Sequence, residues 1–68
     1  MTVSEKIKLL LGRRKMTITA LAWKMGISRQ YLTKKLKENA FSVDDLQQIA
    51  KHLNCGLEIT FTDKGERL

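Results

Sequence analysis

The chain has 68 residues, a net charge of +6 at pH 7 and a single cysteine. Its length predicts one domain with a small core, and one cysteine excludes an intrachain disulfide, which favours a reducing, intracellular setting. Residues 1–15 carry an apolar run too short and too charged for a signal sequence or a membrane span, so we expect a cytoplasmic protein without membrane contact.

Charge is distributed unevenly along the chain. Residues 6–37 contain ten Lys or Arg and no carboxylate, whereas residues 38–68 contain three basic and six acidic side chains. Solubility alone does not require 32 consecutive residues without an acid. We therefore expect the first half to meet a polyanion, and we favour nucleic acid over a merely solvated basic surface.

The first predicted helix spans about residues 3–12. Thr2 and Glu5 have the spacing of a capping box at its start, and Gly12 followed by three basic residues suits its C-terminus. Its apolar residues recur at helical intervals, namely Val3, Ile7, Leu10 and Leu11.

Thr17 is the predicted cap of a second helix, with Met16 and Leu21 placed as a hydrophobic staple. The buried stripe of this helix comprises Ile18, Leu21, Ala22 and Met25. Gly26 ends it, because a sharp turn between packed helices needs a residue at positive φ.

A third helix follows the glycine turn. Ile27 is expected to point into the core, Ser28 to cap the helix, and Leu32 and Leu36 to face inward. The interval from Ala22 through Gly26 to Leu32 is typical of a helix-turn-helix.

The fourth predicted helix begins at Ser42, which forms a capping box with Asp45. Asn54 and Gly56 end it. Its apolar face comprises Val43, Leu46, Ile49, Ala50 and Leu53.

The segment after this helix, LEITFT at residues 57–62, alternates apolar and polar side chains as a half-buried strand does. The six residues after it are too few for a full second strand, so we expect pairing with the same strand of a second molecule, which would form a homodimer. The alternative is a tail folded back on its own helices. This reading divides the chain into a helical domain, 1–56, and a tail, 57–68.

The stretch TALAWKMGISRQYLTKKL, followed by FSVDDLQQIAKHL, resembles the Cro and C1 repressor type of helix-turn-helix domain, also called the xenobiotic-response-element family. The resemblance covers residues 3 to about 54. It implies an all-α, compact, four- to five-helix lambda-repressor-like fold, here with a C-terminal β-strand. It also implies that residues 28–37 lie in the major groove of double-stranded DNA.

Carried across residue by residue, the resemblance implies base contacts by Arg29, Gln30 and Lys34, with Thr33 beside them. Chemistry supports these roles independently, because Arg can pair with guanine O6 and N7 and Gln with adenine N6 and N7. The alternative is that these side chains form a solvated face.

Predicted phosphate contacts lie around the same helix. The resemblance implies them for Thr17 and Ser28 at helix N-termini, and charge or polarity adds Lys35, Lys37 and Asn39, besides the basic triplet at 13–15. Two residues depart from the family pattern: Ile18 stands where Gln is common, and Lys35 stands where an apolar residue is common.

Other residues leave alternatives open. Trp23 is either a phosphate or partner contact or an edge-packed aromatic, and Tyr31 either touches DNA or packs on the fourth helix. His52 and Cys55 are two potential ligands without others, so we expect no metal and no cofactor.

We therefore predict a DNA-binding transcriptional regulator, a repressor, with no enzymatic activity and no evident small-molecule ligand. The competing interpretation is a protein-binding module, such as an antitoxin or accessory factor, whose helical surface mainly contacts a protein partner.

Overall fold

A computed structural model describes residues 1–58, 62–64 and 66–67 of the chain. Four helices follow one another in this part, which confirms the all-α class and gives the smaller of the two predicted helix numbers. They are α1 at Val3–Arg13, α2 at Ile18–Met25, α3 at Arg29–Glu38 and α4 at Val43–His52.

Each helix begins where the sequence predicts, because its cap residue satisfies a backbone donor of the first turn. The side chains that accept these hydrogen bonds belong to Thr2, Thr17, Ser28 and Ser42. Both predicted capping boxes, Thr2 with Glu5 and Ser42 with Asp45, are present.

The turn between α2 and α3 has the predicted conformation. Gly26 adopts φ 71° and ψ 28°, the left-handed region that a side chain disfavours. The backbone N–H groups of Gly26 and Ile27 donate to carbonyls in the last turn of α2, which satisfies that end of the helix. The helix-turn-helix is thus built from local interactions.

One hydrophobic core joins all four helices. Its buried members are Ile7, Leu11, Leu21, Ala22, Leu32, Leu36, Ile49 and Leu53. Val43 was wrongly assigned to the apolar face of α4, since it is 53% exposed. It is the first residue of the helix, whereas the buried residues of α4 lie in its C-terminal half.

The strand predicted at 57–62 is not confirmed. Leu57 and Glu58 have no regular secondary structure, and residues 59–61 lie outside the described part. A short strand β1, Thr62–Asp63, instead pairs antiparallel with β2, Glu66–Arg67. Two residues on each side suffice for this local pairing, although the tail is too short for a full second strand.

Candidate nucleic-acid interface

The exposed side of α3 gathers the predicted base readers. They line one open depression on the surface, together with two residues from the last turn of the helix: Arg29, Gln30, Thr33, Lys34, Lys37 and Glu38. All six are exposed. This depression, the α3 face, is made of long polar side chains on a helix whose opposite side is fixed by buried Leu32 and Leu36.

The predicted phosphate contacts Thr17 and Ser28 are both helix caps. The Thr17 hydroxyl accepts a hydrogen bond from the N–H of Ala20 at 3.0 Å, and the Ser28 hydroxyl accepts one from Tyr31 at 3.1 Å. Both residues are exposed. The N-termini of α2 and α3 therefore carry partial positive charge where solvent, or an anion, can reach them.

Lys35 is held by a residue of α4. Its Nζ lies 2.9 Å from a carboxylate oxygen of Asp45 and 5.0 Å from the centroid of the Tyr31 ring. The hydrogen bond to Lys35 lowers the pKa of Asp45 below its ordinary value, and the same bond raises the pKa of Lys35. Lys35, a predicted phosphate contact, is therefore already paired with an acid of α4.

Asn39 ends α3 in the left-handed conformation and contacts α1. Its Oδ1 accepts hydrogen bonds from the backbone N–H and the hydroxyl of Ser4, both at 3.0 Å. The single hydrogen of the buried Ser4 hydroxyl is shared between Asn39 Oδ1 and the carbonyl oxygen of Leu36, which is the nearer acceptor at 2.6 Å. The side-chain amide nitrogen of Asn39 remains available to donate to a phosphate. The phosphate contacts of Asn39 and Lys35 both stay predictions.

A family profile described as the Cro/C1-type HTH DNA-binding domain matches residues 6–58. The chain belongs to this family. The match confirms the resemblance seen in the sequence and covers all of α2, α3 and α4. No curated protein and no solved structure shows significant similarity to the chain.

Two residues of this Cro/C1-type domain lie at positions that the sequence did not predict. Arg14, expected at a phosphate, donates from its guanidinium Nε to the carbonyl of Leu53 and so joins the ends of α1 and α4. Glu38 was counted with the acidic half, yet it lies on the α3 face. Its spacing, four residues after Lys34 and eight after Gln30, could have located it.

The aromatic residues left open by the sequence point outward. Trp23 is 83% exposed, which excludes edge packing within the described part of the domain, and Tyr31 is 51% exposed with Lys35 over its ring. His52 lies in the last turn of α4 and Cys55 packs against the core. Among described residues, no group of three or more His, Cys, Asp or Glu could hold a metal ion.

The helices of the domain are short. None of those in the described part is long and apolar enough to cross a membrane.

Proposed function

We propose that this Cro/C1-type domain is a sequence-specific transcriptional regulator that places residues 28–37 in the major groove. The observation that carries the proposal is the shared location of Arg29, Gln30, Thr33 and Lys34 on one exposed depression. A helix fits the major groove, where each base pair has its own pattern of donors and acceptors.

The roles on this face follow from side-chain chemistry. Arg29 pairs with a guanine edge and Gln30 with an adenine edge, while Lys34 reaches guanine and Thr33 contacts an adjacent base. Contacts to phosphate fix the position of the domain on the duplex. They come from Thr17, Ser28, Lys35, Lys37 and Asn39.

The domain acts as a repressor by occupancy, because a protein bound in the groove excludes others from the same DNA. Enrichment of bound sites from a random duplex library tests the underlying specificity. Arg29→Ala or Gln30→Ala should weaken the preferred site by ~1 to 3 kcal/mol and relax preference at one base pair. Lys37→Ala is the control, which should weaken all sequences about equally. An unchanged motif and affinity in Gln30→Ala would contradict the assignment of the reading face.

A homodimer through residues 57–62 is the second part of the proposal. Support comes from the alternating sequence of this segment and from Leu57, which is 39% exposed. A two-fold axis would present two copies of α3 to half-sites about one helical turn, ~34 Å, apart on a palindromic site. Sedimentation of the intact chain and of a truncation after Glu58 tests dimerisation. The truncation keeps Cys55, because this residue packs against the core. A truncation that dimerises as well as the intact chain would refute dimerisation through this segment.

A protein-binding module is the second candidate function, and Trp23 favours it. Exposed Trp is enriched among residues that dominate protein interfaces. Steep weakening of binding with salt would indicate DNA as the main ligand, whereas an apolar protein interface would respond little. Trp23→Ala separates the two, because it should leave DNA affinity unchanged if the aromatic serves a partner.

A further inference from the structure

Glu38 is an acid in a place where a DNA-binding surface has reason to avoid one. It is exposed and shares the α3 face with Lys34 and Lys37. The ion pair recorded in the described part of the chain joins Lys35 to Asp45 and does not involve Glu38. A carboxylate that faces a polyanion is repelled at every site where no base donates to it.

We infer that Glu38 is a specificity-determining residue that selects cytosine at the edge of the site read by α3, an inference that rests on the proposed function. A carboxylate only accepts hydrogen bonds, and the cytosine N4 amino group is the donor that Asp and Glu pair with in the major groove. Guanine offers O6 and N7 and thymine offers O4, which are acceptors, so the carboxylate disfavours both bases. Adenine has an N6 amino donor, but its N7 acceptor lies beside that donor and repels a carboxylate.

The position of Glu38 on the helix sets where this base lies. Eight residues separate it from Gln30, a distance of roughly 12 Å along the axis of an α-helix. With ~3.4 Å between successive base pairs, the cytosine lies within about four pairs of the one read by Gln30. Glu38 therefore recognises a base separate from those read by Arg29 and Gln30. It raises specificity because it weakens binding to sites that lack the cytosine.

Enrichment from a random duplex library, followed by competition binding, tests the inference with the wild type, Glu38→Gln and Glu38→Ala. Asp44→Asn removes the same charge at an exposed position outside α3 and is the matched control. In the wild type and the control we expect a cytosine preference of about 5- to 150-fold at one position. Glu38→Ala should lose it, and Glu38→Gln should move it toward adenine, because Gln pairs with adenine.

A merely structural role of Glu38 would not change the identity of the preferred base. Thermal melting by circular dichroism verifies that each variant is folded, and the two substitutions at an exposed site provide independent tests. One motif shared by all four proteins, or a uniform rise in affinity without a changed base, would overturn the inference and leave the proposed function standing. Failure of the wild type itself to enrich any motif would instead overturn the proposed function.

Discussion

Lys35 and Lys37 are neighbours on α3 that should respond differently to replacement by Met. Lys37 is exposed on the α3 face, whereas Lys35 is only 19% exposed and its Nζ lies 2.9 Å from the Asp45 carboxylate. A lysine that already neutralises an acid releases fewer counterions from DNA than a free one. We therefore expect Lys37→Met to reduce the salt dependence of DNA binding clearly, and Lys35→Met to reduce it by less than half as much.

The size of the effect follows from counterion release. Each phosphate neutralised on duplex DNA contributes ~0.9 to the slope of log affinity against log salt concentration. Between 50 and 200 mM salt, loss of one contact should make the affinity fall about 3.5-fold less than that of the wild type. Fluorescence anisotropy with a labelled duplex at several salt concentrations measures these slopes. Lys51→Met is the matched control, because Lys51 lies in the last turn of α4, outside the basic half.

Two results would refute this reasoning. A wild-type slope for Lys37→Met would remove Lys37 from the phosphate contacts. Equal slopes for Lys35→Met and Lys37→Met would show that the ion pair with Asp45 does not weaken the contribution of Lys35 to phosphate binding.

Three further predictions concern the scaffold that holds α3. Gly26→Ala should destabilise the domain by ~1 kcal/mol through backbone strain alone, because Gly26 has a positive φ and an added Cβ meets nothing within 4 Å. Gly12→Ala should instead stabilise the domain by about 0.5 to 1 kcal/mol, because Gly12 lies inside α1 and its added Cβ also meets nothing within 4 Å. Urea unfolding measures both. Ser4→Ala should destabilise by about 1 kcal/mol through the loss of a buried hydrogen bond, and an unchanged midpoint would contradict that role. The pKa of Asp45 is lowered, so its carboxylate stabilises the fold above about pH 4, and this contribution is lost as the pH falls through the lowered pKa. The difference in unfolding free energy between wild type and Asp45→Asn should therefore shrink in acid.

The helix boundaries could be predicted because their causes are local. Thr17 accepts from a donor three residues ahead, and Gly26 adopts its positive φ to close the turn that follows α2. Such interactions need no knowledge of distant parts of the chain. The cluster of exposed polar residues on α3 could also be predicted, because Leu32 and Leu36 fix which side of the helix faces the core.

Contacts between helices could not be predicted in the same way. Asp45 reaches Lys35 across ten residues, and Ser4 reaches Asn39 across 35. Both pairings depend on how the helices pack, which the apolar periods alone do not specify. The charge of residues 38–68 therefore includes Asp45 among acids expected to lie away from α3, although its side chain contacts this helix.

The charge of a surface thus differs from the charge of the segment that forms it. Of the ten basic side chains in residues 6–37, Lys35 is paired with Asp45 and Arg14 donates to a backbone carbonyl of the domain. Glu38, outside that segment, belongs to the α3 face. Within the described part of the chain, the other eight basic side chains of residues 6–37 have no such contact, so the slope of log affinity against log salt concentration should be no steeper than about −7 per chain. The Lys35–Asp45 pair fixes α3 against α4, and the Arg14 contact joins α1 to α4. The interactions that limit affinity for phosphate therefore also hold together the helices that carry the reading face.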